Sequence, residues 1–407
     1  MSRLRVLKPA APASLPFVLA LASGACAGDQ PRDDGGATAG APPVALEALV
    51  SPAPVGSAEP NVTAGPDGFY LSWLEPTGPG RHALRFSRLG PDGWTGPGTV
   101  MEREDLFVNW ADFPSMLVLE DGTMAAHWLE KSGAGTYAYD VRAAVSTDGG
   151  ETWSEDIIPH SDRQEAEHGF VSLFPMGGDV GAVWLDGRET VKGDPMTLRF
   201  TTISDDGAAP DVQLDGNVCD CCQTDAAVTS AGPIVVYRGR TEEEVRDILA
   251  VRRVDGGWTE PRRVHDDGWV INACPVNGPA VAAAGERVAV VWFTASPEPR
   301  VLLAFSDDAG ATFAPPVRLD EGGAQGRVDV ALLEDGSALA VWLEAGDSGA
   351  ELRVRRVTGD SAGRAMRLTG TSSERASGFP RMARRGNVVL FTWTESGDPS
   401  RVRTVLG

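Results

Sequence analysis

One pattern of roughly fifty residues occurs seven times between residue 60 and the C-terminus of this 407-residue chain. Each copy contains a short apolar segment that ends in an aromatic residue. These aromatic residues are Trp73, Trp128, Trp184, Tyr237, Trp292, Trp342 and Trp393. A fixed period of this length, built from strand-sized segments, is typical of radial and solenoid folds in which each repeat is one supersecondary unit. The repeat therefore restricts the possible folds more than any single motif does.

Each repeat divides into four predicted strands, named A to D. In the sixth copy the predicted strands cover residues 327–333, 337–342, 351–357 and 364–368. Strands A and B are apolar runs, whereas strand C alternates, with Leu352 and Val354 on one side and Arg353 and Arg355 on the other. Four-stranded antiparallel sheets repeated around an axis form a β-propeller. The predicted fold class is therefore all-β, a seven-bladed β-propeller with four-stranded blades.

The seventh copy ends after its predicted strand C, at residues 401–406, and has no strand D of its own. The segment from Pro43 to Val50 precedes the first strand A and is apolar enough to supply the missing strand. Joining both ends of residues 43–407 in one blade would close the ring and remove the two free sheet edges. A six-bladed ring with one unit outside it is the alternative.

The N-terminal residues have the pattern of an export signal. Arg3, Arg5 and Lys8 precede an apolar segment at 15–22 that is too short to span a bilayer. We predict a signal peptide at 1–26, with Cys26 as the lipidated residue of an exported lipoprotein, and cleavage after Ala27 is the alternative. Residues 27–42, rich in Gly, Ala, Asp and Pro, are predicted to form a flexible linker. The expected location is the periplasm, the outer membrane or the cell surface.

The charge of the chain restricts its partners. The formal net charge of −21 becomes −24 (−21 − 3) once the three cationic residues of the predicted leader are removed. So acidic a protein repels polyanions, which argues against nucleic acid as a partner. Contact with a membrane is expected only through a lipid on Cys26.

Two turns of closely similar sequence join predicted strands C and D. They run from Ser146 to Trp153 and from Ser306 to Phe313. In such turns an Asp side chain caps backbone N–H groups and Gly supplies a positive φ. These segments resemble the Asp-box, or BNR, repeats, and the chain resembles the sialidase-like propeller superfamily over nearly all of its predicted mature length. The resemblance implies that the Asp-box residues are scaffold on the face away from the ligand site.

The predicted ligand site is the axial funnel. In a propeller the D-to-A and B-to-C connections share the face around this funnel, and the loops entering blades 2 to 5 carry most of the unusual residues. The predicted ligand-binding residues are Trp110, Arg188, Glu189, Arg238, Arg240, Trp269 and Asn272. The expected ligand is a glycan or another small polar molecule.

The resemblance also implies catalytic roles. Sialidases bind a substrate carboxylate with three Arg residues and use a Tyr nucleophile, helped by a Glu, together with an Asp acid. Carried over, Asp112 or Asp186 is the expected acid, and Tyr237 at the rim is the expected tyrosine. The anion clamp would be formed by Arg188, Arg238 and Arg240. The chain lacks the family's Arg-Ile-Pro signature near the first blade and has no Tyr in its last three repeats. The leading prediction is therefore ligand binding, with glycoside hydrolysis left open.

Four cysteines interrupt the repeat. Cys219, Cys221 and Cys222 lie in the predicted loop entering blade 4, and Cys274 lies in the loop entering blade 5. In an exported protein they can form disulfides, with Cys219 or Cys222 linked to Cys274. The alternative is a thiolate site for copper or zinc, with His168 as a further ligand.

Two other functions follow as alternatives to glycan binding. One is a periplasmic protein with a thiolate metal or redox site, and the other is a scaffold that binds another envelope protein. His82, His127 and His160 are predicted to lie on the surface or in strands without partners.

Overall fold

The computed structural model describes residues 45–347 and 349–407. The predicted signal peptide, the predicted linker and Cys26 lie outside the described residues, so the domain boundaries stay predictions. The described chain is almost entirely antiparallel β-sheet. Two short 3₁₀ turns occur, at Thr190–Lys192 and Arg375–Ser377. Within the described ranges we find no helix with the length and apolar character that a membrane span needs.

Seven separate sheets, numbered here as blades 1 to 7, follow one another along the chain. Blade 1 contains β2 (Ala58–Gly65), β3 (Gly68–Gly78), β4 (Arg81–Gly90), β5 (Gly93–Trp94) and β6 (Gly98–Arg103). Blade 2 contains β7 (Ser115–Val118), β8 (Met124–Lys131) and β9 (Tyr139–Ser146). Blade 3 contains β10 (His168–Met176), β11 (Asp179–Asp186), β12 (Thr197–Ser204), β13 (Gly207–Ala208) and β14 (Val212–Asp215).

The remaining blades repeat this order. Blade 4 contains β15 (Asp225–Thr229), β16 (Gly232–Arg238), β17 (Ile248–Val254), β18 (Gly257–Trp258) and β19 (Arg262–Arg263). Blade 5 contains β20 (Ala280–Ala284), β21 (Arg287–Thr294), β22 (Arg300–Ser306) and β23 (Val317–Arg318). Blade 6 contains β24 (Ala324–Leu332), β25 (Ala338–Gly346), β26 (Gly349–Thr358), β27 (Ser361–Ala362) and β28 (Met366–Thr371). Blade 7 contains β29 (Arg381–Arg385), β30 (Val388–Glu395), β31 (Arg401–Leu406) and β1 (Glu47–Leu49).

The blades form one closed ring of seven. The innermost strands contact one another in the order β2, β7, β10, β15, β20, β24, β29 and back to β2. The predicted seven-bladed propeller is confirmed, and the six-bladed alternative is wrong.

The ring is closed by pairing the two ends of the described chain. Strand β1 pairs antiparallel with β31, with Leu49 opposite Thr404. The predicted closing strand is thus confirmed, although it is shorter than the predicted 43–50. Leu49 packs against a cluster that contains Val62, Phe69 and Leu390. Closure therefore rests on the backbone hydrogen bonds of β1 within blade 7 and on apolar contacts between blade 7 and blade 1.

The innermost strands differ from the prediction where they begin. In blade 6, β24 starts at Ala324, three residues before the predicted strand, because a β-bulge interrupts its pairing with β25. Arg327 in this bulge has a φ of 53°. Glu59 in blade 1 and Phe170 in blade 3, each with a φ of 54°, occupy the same kind of bulge. Bulges of this type redirect a strand and are frequent beside functional sites.

The repeated aromatic residues form the centres of the blades. Five of the tryptophans are fully buried, and three donate their indole N–H to an acidic side chain two residues later. These pairs are Trp73–Glu75, Trp184–Asp186 and Trp342–Glu344. A buried indole N–H needs an acceptor, so the acidic residue that follows each of these tryptophans stabilises the blade.

The two Asp/Gly turns have matching hydrogen bonds. The turn at 306–313 joins β22 to β23, strands C and D of blade 5, as predicted. The turn at 146–153 follows β9, the last strand of blade 2, and leads to an isolated bridge between Ala143 and Ile157. Asp148 accepts hydrogen bonds from Ser146 and Thr152, and Asp308 accepts the equivalent bonds from Ser306 and Thr312. The Thr152 contacts lower the pKa of Asp148 to about 2. Both carboxylates therefore form these hydrogen bonds within their own turns.

Replacing Leu49 by Asp should lower the free energy of unfolding by about 2 kcal/mol, because the substitution places a charge in the apolar contact between blades 7 and 1. Val50, the next residue, is 89% exposed and serves as the matched control. Urea unfolding of Leu49→Asp and Val50→Asp measures the effect. Equal stability of the two variants would contradict the proposed role of β1.

Candidate functional site

One side chain joins three of the loops that enter blades. Gln223 precedes β15, and Ala111 precedes β7. The Nε2 of Gln223 donates a hydrogen bond to the Ala111 carbonyl oxygen at 2.5 Å. Its Oε1 accepts from the backbone N–H of Gly278, before β20, at 3.0 Å. A Cβ at Gly278 would lie 2.1 Å from the Gln223 carbonyl oxygen, so only glycine fits there. The loops entering blades 2, 4 and 5 thus meet at one face of the ring.

A cavity of 140 Å³ lies among the innermost strands of blades 1 to 4 and 7. Most of its lining side chains form hydrogen bonds or carry charge. The polar side chains are Asn61, Thr63, Asp112, Ser115, Ser172, Gln223, Thr224, Asp225 and Arg381. The funnel predicted from the sequence is therefore a small polar cavity on the axis.

Asp112 belongs to a buried hydrogen-bonded chain. The Tyr139 hydroxyl lies 2.9 Å from Asp112 Oδ2 and 2.8 Å from Glu167 Oε1. A hydroxyl donates only one proton, so one of the two contacts must be donated by a protonated carboxyl group. Burial raises the pKa of Asp112 to about 8 and that of Glu167 to about 7. Burial therefore favours a proton on this pair of carboxyl groups near neutral pH.

The other oxygen of Asp112 caps the bulge of blade 3. Asp112 Oδ1 accepts from the Phe170 backbone N–H at 2.7 Å. A Cβ at Gly169 would lie only 1.9 Å from Asp112 Oδ2, so glycine is required for this approach. In blade 6 the Arg327 N–H is capped in the same way by Asn277 Oδ1, at 2.8 Å. Because a neutral amide performs the equivalent role there, the primary role of Asp112 is structural.

Asp186 is not a free acid. It is fully buried and accepts from Trp184 Nε1 at 2.7 Å. Arg188 binds both of its carboxylate oxygens, at 2.7 and 2.6 Å. Arg188 also lies 3.3 Å from Asp162 and 3.3 Å from Asp211. The predicted acid and one Arg of the predicted anion clamp are thus partners in an internal ion-pair network.

Tyr237 and Arg238 do not lie at the rim, in contrast to the prediction. The Tyr237 hydroxyl, within a fully buried side chain, donates to Asp215 at 2.7 Å. Burial raises the pKa of Tyr237 well above its usual value, which opposes a role as nucleophile. Arg238 is 1% exposed and donates to the carbonyls of Arg246, Asn277 and Phe293. Its guanidinium connects two loops and strand β21, and each of its three nitrogens is used in these bonds.

None of the other predicted ligand-binding residues lines the axial cavity. Arg240 forms a bidentate pair with Glu244, and Glu189 pairs with Lys192. Trp269 is buried under the Arg238 guanidinium, whose Cζ lies 4.8 Å from the ring. Asn272 is exposed and follows Ile271, whose backbone N–H donates to the Glu244 carbonyl. Trp110 is part-buried, stacks on Phe379 and lies under Arg327.

The cysteines come together as the sequence suggested. Cys219 Sγ lies 3.4 Å from Cys222 Sγ and 3.9 Å from Cys221 Sγ. Cys274 lies beside Cys221 and is exposed, whereas Cys219 and Cys222 are buried. All four are free thiols at distances too long for a disulfide bond. The predicted disulfides are therefore not seen.

An arginine that the sequence analysis left unassigned supports the thiol cluster. Arg246 Nη1 donates to Cys219 Sγ at 3.1 Å. Contacts with the Cys221 and Cys222 sulfurs hold the pKa of Cys219 well below its ordinary value. The same kind of contact raises the pKa of Cys221. Arg246 therefore favours a negative charge on Cys219.

His168 belongs to a different group of side chains. It is fully buried and lies 3.2 Å from Asp162 and 3.2 Å from the Tyr139 carbonyl. Its ring stacks on His160 at 4.0 Å. The predicted role of His168 as a ligand beside the cysteines is wrong, and His160 is buried with partners rather than unpartnered. His127 likewise has a partner, Ser115.

The comparisons with known proteins concern the fold. A polysaccharide lyase named Uly1 has a TM-score of 0.52 at 10% identity, over 85% of this chain and 88% of the lyase. A mutant of the NanB sialidase from Streptococcus pneumoniae has a TM-score of 0.47 at 10% identity, covering 88% and 94%. An intramolecular trans-sialidase from Ruminococcus gnavus has a TM-score of 0.48 at 11% identity, covering 74% and 96%. No family model matches the chain, and no curated protein is similar to it in sequence.

Replacing Asp112 by Asn should change how stability depends on pH. The folded carboxyl keeps its proton to a pH of about 8, whereas the unfolded one loses it near pH 4. Between these values the folded state binds more protons, so the free energy of unfolding falls as pH rises. Asp112→Asn removes this contribution and should be more stable than the wild type above about pH 8.

Urea unfolding at a series of pH values measures the slope. Asp92→Asn, at an exposed turn residue, changes the net charge equally and should leave the slope unchanged. A slope that Asp112→Asn does not alter would show that Asp112 is not the residue that holds the proton.

Proposed function

We propose that the protein binds a soft metal ion, Cu(I) or Zn(II), through the thiolates of Cys219, Cys221 and Cys222. The spacing of the sulfur atoms supports this proposal most directly. Metal–sulfur bonds of about 2.3 Å place tetrahedral ligands roughly 3.8 Å apart. The observed separations of 3.4 and 3.9 Å are close to this value and far above the S–S bond length of about 2.0 Å.

The surroundings of the cluster favour bound thiolates. Removing protons from three thiols would place three negative charges in a largely buried loop, which is costly unless cations compensate. Arg246 contacts the Cys219 sulfur directly, and the charge of Arg238 acts on both Cys219 and Cys222. Two fixed guanidinium groups and one metal cation offset this charge. Thiolate ligands select Cu(I) and Zn(II) over hard cations.

One side of the cluster is open to solvent. Cys221 is part-buried and Cys274 is exposed, and the two lie next to each other. An ion can therefore enter past Cys274 and be transferred to the buried sulfurs. This arrangement favours an exchangeable ion over a purely structural one, and Cys274 would be the fourth ligand.

Replacing Cys222 by Ser should lower the affinity for Cu(I) on the order of 100-fold or more, since it removes a buried soft ligand. Competition with a chromophoric Cu(I) chelator under reducing conditions gives the affinity. Glu243→Gln, at an exposed residue of the neighbouring loop, is the control and should bind as the wild type does.

Alkylation and mass spectrometry of protein purified without reductant test the disulfide alternative. Four alkylated cysteines at 219, 221, 222 and 274 agree with a metal site. Two disulfides, or equal Cu(I) affinity of Cys222→Ser and wild type, would overturn the proposal.

A second candidate function is the binding of a small hydroxylated ligand, of the carbohydrate class, in the axial cavity. The observation that favours it is Arg381 at the cavity wall. Arg381 Nε has no hydrogen-bond partner, and the nearest carboxylate oxygen recorded for it, on Asp329, is 3.6 Å away. Among the described residues we find no hydrogen bond from the Arg381 side chain, so its donors are unused, unlike those of Arg188 or Arg238. The fold likeness to a polysaccharide lyase makes carbohydrates the first class to test.

Replacing Arg381 by Gln should weaken such binding by about tenfold or more, the effect of losing a charge-assisted hydrogen bond. A glycan array identifies a ligand, and calorimetry measures its affinity for each variant. Arg401→Gln, at an exposed position of β31, is the control. An array without binders, or an affinity that Arg381→Gln does not change, would refute this second function.

A further inference from the structure

The four sulfur atoms of the thiol cluster form a file from the surface to the interior. Cys274 is exposed, and Cys221 lies beside it and is part-buried. Cys219 and Cys222 are 0% and 1% exposed. Cys221 Sγ lies 3.9 Å from Cys219 Sγ, and Cys219 Sγ lies 3.4 Å from Cys222 Sγ. The exposed end of this file is therefore Cys274, and its buried end is the pair Cys219 and Cys222.

The buried pair is better placed than the other cysteines of its loop to form a disulfide. Cys219 and Cys222 are three positions apart, which is the Cys-x-x-Cys spacing of redox-active dithiols. A link from Cys221 to either of them would join cysteines only two or one positions apart, and such links depart from ordinary disulfide geometry. We therefore expect oxidation of this loop to end in a bond between Cys219 and Cys222.

Both buried sulfurs accept hydrogen bonds from nitrogen. Arg246 Nη1 donates to Cys219 Sγ at 3.1 Å, and the backbone N–H of Asn277 donates to Cys222 Sγ at 3.4 Å. Such donors favour the thiolate, which is the attacking species in thiol–disulfide exchange. They also stabilise the reduced form, so a disulfide between these sulfurs stays reducible by external thiols. The contacts of the pair therefore favour reversible oxidation.

We propose that the metal site is under redox control: without a bound ion, a low-molecular-weight disulfide reacts at Cys274 and oxidises the buried pair Cys219 and Cys222. This inference rests on the proposed metal function, because a metal ion and a disulfide need the same sulfur atoms. A bound ion protects the pair, and oxidation of the metal-free pair prevents the ion from binding. Reduction by external thiols restores the site.

The exchange proceeds along the file of sulfurs in four steps. The Cys274 thiolate attacks one sulfur of the external disulfide, and the other sulfur leaves as a thiolate. Cys221 attacks the Cys274 sulfur and releases the second external thiolate. Cys219 then attacks the Cys221 sulfur and frees Cys274, and Cys222 attacks the Cys219 sulfur and frees Cys221. In total, two electrons and two protons pass from Cys219 and Cys222 to the external disulfide, which becomes two thiols.

The test uses the full chain, freed of metal with a chelator and treated with oxidised glutathione in the absence of oxygen. After alkylation, cleavage on the N-terminal side of aspartate gives the peptides 215–219 and 220–224. A disulfide between Cys219 and Cys222 joins these peptides, and fragmentation in the mass spectrometer should find the alkyl group on Cys221. Peptides that stay unlinked, or a link through Cys221, would overturn the proposal.

Replacing Cys274 by Ser should slow this oxidation about tenfold or more, because the rate of exchange depends on access to the attacking sulfur. Ala273→Ser is the matched control, since Ala273 is the exposed neighbour of Cys274 and carries no sulfur. It should be oxidised at the wild-type rate. Equal rates for Cys274→Ser and the wild type would show that Cys274 is not the point of entry and would overturn the proposal.

One equivalent of Cu(I), added before the glutathione, separates this inference from the metal function. The ion should protect Cys219 and Cys222 from oxidation. If Cu(I) binds but the metal-free pair stays reduced with glutathione, the redox inference is wrong and the metal function stands. If the metal-free pair is oxidised and Cu(I) gives no protection, these sulfurs are not its ligands, and the metal function and the inference are both wrong.

Discussion

Pairing of residues 47–49 with residues 404–406 is the constraint on which the rest of the structure depends. In the described ring each innermost strand contacts two neighbours, and β1 covers the outer edge of blade 7. Closure also brings the loops that enter the blades to one face around the axis. Contacts between distant segments, such as those of Gln223 with Ala111 and Gly278, are possible only in a closed ring. The axial cavity and the thiol cluster both lie in this layer of loops.

Burial of polar groups explains why several predicted site residues have structural roles. A ring of packed sheets buries indole N–H groups and backbone carbonyls, and each needs a partner. Asp186 satisfies Trp184, and Arg238 satisfies three carbonyls at once. Removing a partner would leave a buried group unsatisfied, at a cost of about 1–3 kcal/mol. Charged residues at blade ends in this protein are therefore first of all partners of the fold.

The blades were predictable from the sequence, but the side-chain partners were not. A repeat with a fixed period determines which segments are strands, and the missing strand of the seventh copy pointed to the N-terminal segment. The cysteine cluster was also predictable, because loops that enter adjacent blades lie side by side. The contacts of Tyr237, Arg238 and His160 could not be predicted. Their partners lie in other loops or depend on the exact path of the connection between two blades. The early start of β24 was missed because bulge residues such as Arg327 have no distinctive local pattern.

Closure through the first and last strands also determines the order of assembly during biosynthesis. Strand β1 is made before the other strands of the described chain, yet its sheet partner, β31, is made after them. Blades 1 to 6 can form as the chain emerges, whereas blade 7 must wait for residues 401–406. Until then the edges of the incomplete ring can pair with other chains. A delay before the last residues are synthesised would therefore expose this protein to aggregation more than an internal delay of the same length.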